Sequence, residues 1–255
     1  MKVVVIGGTG LIGSQVVALL TEHGHEAVAA SPASGVNTLT GEGLAEAFAG
    51  ADVVVDVTNS PSFADDDVLA FFRTSTTNQL AAEAAAGVGH HVALSIVGAD
   101  RAPESGYMRA KVAQEKLIED GPVPFSIVRA TQFFEFLPAI ADSATVDGVV
   151  TLPTGAFQPM ASADVAAAVA KAAATPATNA VQEVAGPERF AMDELVRTAL
   201  AAKGDPRTVV GDPEAKYFGT HLDEKTIVPI DGTEHVASTT LAQWKAARDA
   251  AVAAG

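Results

Sequence analysis

Near its start the chain runs Lys2-Val3-Val4-Val5-Ile6, turns through Gly7-Gly8-Thr9-Gly10-Leu11-Ile12-Gly13, and continues with apolar residues at helical spacing (Ile12, Val16, Leu19, Leu20). An unbroken β-branched run suits a strand covered on both faces. Glycines at a strand-to-helix turn let the backbone reverse and bring its amides close to an anion, whose charge the helix N-terminus favours. The spacing is G-x-x-G-x-x-G rather than G-x-G-x-x-G, yet strand, glycine turn and helix in that order are the setting of a dinucleotide fingerprint. Gly7, Gly10 and Gly13, with Thr9, Leu11 and Ile12 on the same bend, are therefore expected to meet a pyrophosphate. Gly13, one turn into the helix, permits close packing against the strand.

The alternation continues. Gly24 stops the first helix, and His25–Ser31 reads as a strand. Gly43–Phe48 reads as a short helix, Val53–Val57 as a buried strand, Asp66–Ala86 as a helix ended by Gly87, and Val92–Val97 as a strand. Gly106–Glu119 is helical and Ser126–Val128 a strand. Strands alternating with helices predict right-handed crossovers and a parallel sheet with helices on both faces, a Rossmann-type doubly wound α/β fold. After about Phe136 the pattern loosens into short strands (Val149–Leu152, Val181–Val184), helices (Asp164–Ala174, Met192–Lys203) and a Pro/Gly/Asp-punctuated stretch, Gly204–Gly232. A final helix, Leu241–Ala253, carries Trp244 as a packing anchor. The division expected is residues 1–155 as a nucleotide-binding domain and 156–255 as a smaller substrate-facing portion, with a soft boundary that also allows a single domain.

Charge and composition remove several alternatives. With 16 Lys+Arg against 31 Asp+Glu, a net −15, and no basic run, the chain lacks the clustered cations that nucleic acid requires. It has no Cys, hence no disulfide, thiolate nucleophile or zinc ribbon. The six histidines offer no helical metal pair with a carboxylate, so no metal is expected, and His90-His91 is read as an exposed turn before a strand. Asp65-Asp66-Asp67 complements a helix N-terminus. Met1-Lys2 before an apolar run has the look of a signal peptide, but glycines interrupt that run and no clean cleavage site follows. No apolar stretch of about 18 residues suggests a membrane span. A cytoplasmic protein without membrane or nucleic-acid partners is expected, its oligomeric state open.

An acid at the end of the second strand would bind a ribose 2′-hydroxyl and select NAD; a basic group would accept a 2′-phosphate. Here that position reads Ala30-Ser31-Pro32-Ala33-Ser34. No acid repels a phosphate there, and the hydroxyls of Ser31 and Ser34 can bind one, although no Lys or Arg lies nearby in sequence. The reading leans towards NADP within NAD(P). Tyr107 and Lys111 are four apart on one helix, about 6 Å along its axis. A phenol near pKa 10 is a poor acid–base catalyst at neutral pH, and a neighbouring ammonium lowers that value by stabilising phenolate. Ser95, closing its strand, can hydrogen-bond a substrate carbonyl. Gln132, Phe133 and Phe136, beyond the Arg129 strand, can line a pocket at the sheet's carboxyl edge, with core packing an equal alternative for each Phe. Gly-x-Ser-x-Gly is absent, so an α/β-hydrolase is not supported.

These segments together resemble the short-chain dehydrogenases/reductases, in the atypical or extended-like branch that includes NmrA-like and quinone-reductase-like members. The matching pieces are 7–13, Gly50-Ala51-Asp52-Val53-Val54-Val55, Asn78-Gln79-Leu80-Ala81-Ala82 through Ala86-Gly87-Val88, and Leu94-Ser95. Tyr107-x-x-x-Lys111, Ile127-Val128-Arg129-Ala130-Thr131 and Asp164-Val165-Ala166 complete them. The resemblance implies Ser95, Tyr107 and Lys111 as a catalytic set, Lys111 also holding the nicotinamide ribose, with Thr58-Asn59-Ser60 beside the cofactor. Two departures are an Ala30-Ser31-Pro32 stretch without the Arg common in NADP-using relatives, and Ala130 where Pro is frequent. The expected activity is NAD(P)H-dependent hydride transfer to or from a small carbonyl or quinone-like substrate. A non-catalytic NmrA-like dinucleotide sensor and an NAD-dependent sugar epimerase are the alternatives. A sensor has no need of the Tyr–Lys pair, and an epimerase wants a basic cluster opposite the sugar diphosphate.

Overall fold

The computed structural model describes residues 1–230, 232 and 234–254. The strands are β1 (Lys2–Ile6), β2 (Glu26–Ala30), β3 (Val53–Asp56), β4 (His90–Ile96), β5 (Phe125–Ala130), β6 (Thr145–Val146) and β7 (Val149–Leu152). They continue with β8 (Ala156–Phe157), β9 (Ala180–Ala185), β10 (Phe190–Ala191), β11 (Thr208–Gly211), β12 (Lys216–Tyr217), β13 (Thr220–His221) and β14 (His235–Val236). The helices are α1 (Leu11–Glu22), α2 (Leu44–Phe48), α3 (Asp65–Ala86), α4 (Gly106–Glu119), α5 (Leu137–Ser143), α6 (Ser162–Ala174), α7 (Met192–Ala202) and α8 (Leu241–Ala254). Asp231, in the punctuated stretch, and Thr233 and Gly255, in the second portion, lie outside the described residues.

The central sheet has seven strands in the order β2-β1-β3-β4-β5-β9-β14, every pair parallel. This is the doubly wound Rossmann-type fold that the alternation predicts. β2 lies on one side of β1 and β3 on the other, so the winding reverses at β1. The carboxyl ends of β1 and β3 therefore flank the crevice where such sheets bind ligands. Strand alternation sorts the core by face. Val3, Val5, Val55 and Val92 pack against Ile12 and Val16 of α1 and Val165 and Val169 of α6. Val4 and Val54 meet Leu44 and Phe48 of α2, while Ala93 and Ile127 meet Leu80 of α3 and Ile118 of α4. Val3–Ile6 of β1 and Val53–Val55 of β3 are thus unbroken apolar runs because neither face sees water.

α3 opens on Asp65, Asp66 and Asp67, whose charges suit its N-terminus, and ends at Gly87 in the left-handed region. The second half contributes β9 and β14 to the same sheet. It also builds a separate core of Phe134, Phe157, Met192 and Val196 against Met108 of α4 and Ile96 of β4. Trp244 anchors α8 there, its ring 5.3 Å from that of Phe134 and its Nε1 donating to Glu135 at 2.9 Å.

The structure corrects the reading of His90-His91. They are the first two residues of β4, 5% and 0% exposed. His90 pairs with Ser126 at 2.9 Å, and His91 Nδ1 lies 2.8 Å from a Glu83 carboxylate that is itself 0% exposed. Polar side chains enter this strand because α3 and β5 carry their partners to it. The punctuated stretch 204–232 holds β11 and a β12–β13 hairpin that its sequence does not announce. Among the described residues no helix is long and apolar enough to cross a membrane, and no His/Asp/Glu group is arranged to hold a metal ion.

Candidate active site

The glycine bend joins β1 to α1 at the crevice. Gly7 takes φ +78°, and a Cβ there would meet Val57 O at 3.1 Å and Thr58 N at 3.2 Å, so the bend lies directly against the loop that follows β3. At Gly13 a Cβ would fall 2.2 Å from Gly7 O, a distance only glycine avoids. Gly8, not singled out from the sequence, is as confined: its Cβ would lie 2.7 Å from Ala29 Cα on β2. The Gly7-Gly8 doublet is the signal that would have found it. Gly10 is the helix N-cap, no side chain caps α1, and its first turn holds no acid. The amides of Leu11, Ile12 and Gly13 open the helix, where backbone N–H groups have no intrahelical acceptor, and they offer an anion three donors. Thr9 belongs to the same bend.

Ser31 follows β2. It is buried, and its Oγ has no hydrogen-bond partner among the described residues, whereas exposed Ser34 spends its hydroxyl on the Ser31 backbone (2.9 and 3.0 Å). A glycine cradle that a Cβ would fill, free helix-opening amides and an orphaned hydroxyl at the ribose position fit a dinucleotide.

The loop after β3 is held by Asp56, whose Oδ1 accepts from Thr58 N at 2.9 Å and Thr58 Oγ1 at 2.6 Å. Its Oδ2 accepts from Gln79 of α3 and Gln114 of α4, at 3.1 and 3.0 Å. Asn59 Oδ1 accepts from Ser60 N at 2.9 Å and from the Tyr107 hydroxyl at 3.0 Å. The phenol of α4 thereby reaches the loop that touches Gly7. Burial pushes Tyr107 up to about 12, only partly offset by its bond to Asn59.

Lys111 shares the helix with Tyr107 but turns inward. Its Nζ donates to Leu94 O at 2.9 Å and to Gln114 Oε1, and itself lies 4.3 Å from the centre of the Phe72 ring. Burial lowers it to about 8 against the opposing charges of Asp56 and Glu115. The spacing thus predicts a phenol lowered by the ammonium, and the structure shows one raised by burial, because the long lysine stem reaches the β4 backbone instead. Ser95 is 2% exposed, its Oγ without a partner among the described residues. By strand alternation with Ala93 it faces the α3/α4 layer, and the phenol pairs with Asn59 rather than with it.

Beyond β5, Gln132 is 8% exposed with both amide atoms unpartnered among the described residues. Phe133 and Phe136 stack on each other at 5.2 Å, Phe136 being 45% exposed, while Phe134 is core. Three aromatic residues absent from the sequence reading surround Tyr107. Phe63 lies 5.4 Å away, Phe218 of the β12–β13 turn 5.8 Å and Phe72 of α3 6.2 Å, while Tyr217 packs edge-on to Phe218 at 4.7 Å. They come from distant segments, and no local pattern links them.

A family model described as NAD(P)H-binding matches residues 7–176. No curated protein matches the chain. Among solved structures, MoeE5 in complex with UDP-glucuronic acid and NAD is 17% identical, with 95% of this chain and 96% of that one covered at a TM-score of 0.74. A short-chain dehydrogenase/reductase superfamily protein from Agrobacterium tumefaciens with bound NAD is 20% identical over 99% and 98% of the chains, TM-score 0.72. The NADPH-dependent quinone oxidoreductase QOR2 from Escherichia coli, complexed with NADPH, is 21% identical over 83% and 78%, TM-score 0.65. At these identities the likeness carries the fold alone. Spanning the glycine bend, the Tyr107–Lys111 helix and all of α6, the family match shows that the chain belongs to the NAD(P)H-binding family.

Proposed function

We propose that the protein is an NAD(P)H-dependent oxidoreductase that reduces or oxidises a small carbonyl or quinone-like substrate, with Tyr107 as general acid/base. The observation that carries the reading is the Tyr107–Asn59 hydrogen bond, on a loop in contact with the glycine bend. The bend and the Leu11–Gly13 amides would hold the pyrophosphate, with Ser31 at the adenosine ribose. A bound NAD(P)H supplies the hydride. Tyr107 gives its proton to the substrate oxygen. Burial raises the phenol to about 12, which keeps it protonated at neutral pH but makes it a weaker acid than a free phenol, so the transfer relies on the greater basicity of the alkoxide that hydride addition creates. Asn59 holds the hydroxyl in place. Lys111, one helical turn from Tyr107 and held in the core by Leu94 O and Gln114, would favour the phenolate left after proton transfer through its charge alone, without touching the hydroxyl. The test is a carbonyl and quinone panel assayed for NAD(P)H consumption; coenzyme binding without consumption on any member would favour the sensor.

The lysine makes the reading pH-dependent. Below about 8 Lys111 is an ammonium; above it the charge is lost. Reductive kcat/KM is therefore expected to fall as pH rises through about 8, and that limb should vanish in Lys111→Met on a lower plateau. A wild-type profile flat through this range, or an unchanged limb in the variant, contradicts the role.

The coenzyme preferred under this reading is NADP. Ser31→Asp puts a carboxylate where the 2′-phosphate would lie, and like charges this close cost enough to shift the NADPH-to-NADH affinity ratio by at least about tenfold towards NADH. Titration of both coenzymes into both proteins measures it, and an unchanged ratio removes Ser31 from the ribose site.

A further inference from the structure

Of the 16 Lys and Arg in a chain of net charge −15, three gather at one cleft. It opens between Phe134 beyond β5, α5, α7 and α8, and has a volume of about 210 Å³. Its walls are apolar: Phe134, Leu137 and Pro138 on one side, Leu200 of α7 on another, and the Trp244 indole of α8 on the third. Lys203, which follows α7, and Lys245 and Arg248 of α8 complete the lining. None of the lining residues belongs to the glycine bend, the loop after β3 or α4, so the cleft is separate from the candidate active site.

The aromatic wall is fixed in place. Trp244 Nε1 donates to Glu135, which also accepts from Ser162 N and Oγ at the start of α6, at 3.1 and 2.8 Å, and the indole rests on Phe134. At helical spacing Trp244, Lys245 and Arg248 share one side of α8. Arg248 lies over the indole, 5.2 Å from its centre, and pairs with Asp249. Among the described residues Lys203 and Lys245 have no hydrogen bond or ion pair to hold their ammoniums. The neighbouring acids are engaged elsewhere: Asp205 and Asp142 by Arg207, Asp249 by Arg248, and Glu135 by Ser162 and Trp244.

Two free ammoniums beside apolar walls match a negative head on an apolar body. An ammonium is a point charge that a single carboxylate satisfies without forked geometry. The cleft is smaller than the roughly 300–1,000 Å³ of sites for drug-sized molecules, so it admits one ring or a short chain and not a nucleotide. A protein this acidic repels anions overall, and only a site with its own cations retains one.

We propose that this cleft binds a small apolar monocarboxylate, its hydrocarbon body against Trp244, Phe134 and Leu200 and its carboxylate at Lys203 and Lys245. The site stands independently of the reaction assigned to Tyr107.

Trp244 is the only tryptophan in the chain, so its emission reports on this cleft directly. 3-Phenylpropanoate and octanoate are titrated against that signal and by calorimetry, beside 3-phenylpropanamide, 3-phenylpropylamine and inorganic phosphate. At least one carboxylate should bind with a Kd of about 1 mM or tighter, and the better of the two shows whether the cleft takes a ring or an alkyl chain. The amide, the amine and phosphate should each bind at least about fivefold more weakly, and the preference for carboxylate over amide should shrink as salt rises. Lys203→Gln with Lys245→Gln should weaken carboxylate binding by about fivefold to tenfold and leave the amide unchanged, while Lys203→Arg with Lys245→Arg should keep it within about twofold. Ala202→Phe, at an exposed position bordering the cleft, should fill it and abolish binding of both carboxylates. Titrations silent in both emission and heat, carboxylate and amide bound equally, or phosphate bound as tightly as the carboxylates overturn the proposal. So does an affinity unaltered in both the Ala202→Phe and the double glutamine variants.

Discussion

Tyr107→Phe is expected to lower turnover of a carbonyl substrate by about 10²–10⁴-fold, the usual worth of a positioned proton donor, while coenzyme affinity stays within about twofold. The substitution removes one oxygen and keeps the ring, so the contacts with Phe63, Phe72 and Phe218 at 5.4, 6.2 and 5.8 Å survive. The lost bond to Asn59 is worth about 0.5–1.5 kcal/mol, too little to unfold the domain. Loss of rate without loss of fold or coenzyme then reports on proton transfer alone. If Tyr107→Phe turns over at the wild-type rate, the phenol is not the acid.

The second large effect is structural. Glu83 of α3 and His91 of β4 are both 0% exposed and joined at 2.8 Å. Burial alone would lower the imidazole, but the charge and hydrogen bond of Glu83, with Asp56 nearby, carry it above its ordinary value. A raised folded-state value means that the pair's contribution is full below the unfolded histidine pKa and fades as pH rises through the folded one. Glu83→Ala leaves a buried imidazole unpaired beside a new cavity and should cost about 3–5 kcal/mol, or on the order of 10 °C in Tm, at mildly acidic pH. The penalty should shrink at alkaline pH. Glu83→Met with His91→Leu removes both charges together and should recover most of the loss. A single variant that melts like wild type at acidic pH would show the pair to be idle.

The sheet was legible wherever a strand is buried on both faces, because such strands read as unbroken apolar runs; β1 and β3 are examples, and Gly106–Glu119 matches α4 end to end. β4 was read two residues short because His90 and His91 look like a solvated turn, and only the three-dimensional approach of Glu83 and Ser126 makes them core. The Tyr107–Lys111 spacing marked the helix that faces the crevice. It carried no information on where a flexible lysine points, so the ammonium's turn to Leu94 O was hidden. Phe63 and Phe218 were illegible for another reason: they sit 155 residues apart in the chain, and a Phe-Gly turn gives none of the Asn-Gly signal that announces a hairpin.

The central claim is that a nicotinamide coenzyme lies across the glycine bend with its reactive ring on the side of Tyr107. A crystal structure of the protein with NADPH tests it most directly. The account predicts pyrophosphate oxygens on the amides of Leu11, Ile12 and Gly13 and the nicotinamide beside the Tyr107 hydroxyl. A coenzyme bound elsewhere, or a nicotinamide on the far side of the sheet edge from that hydroxyl, would contradict it.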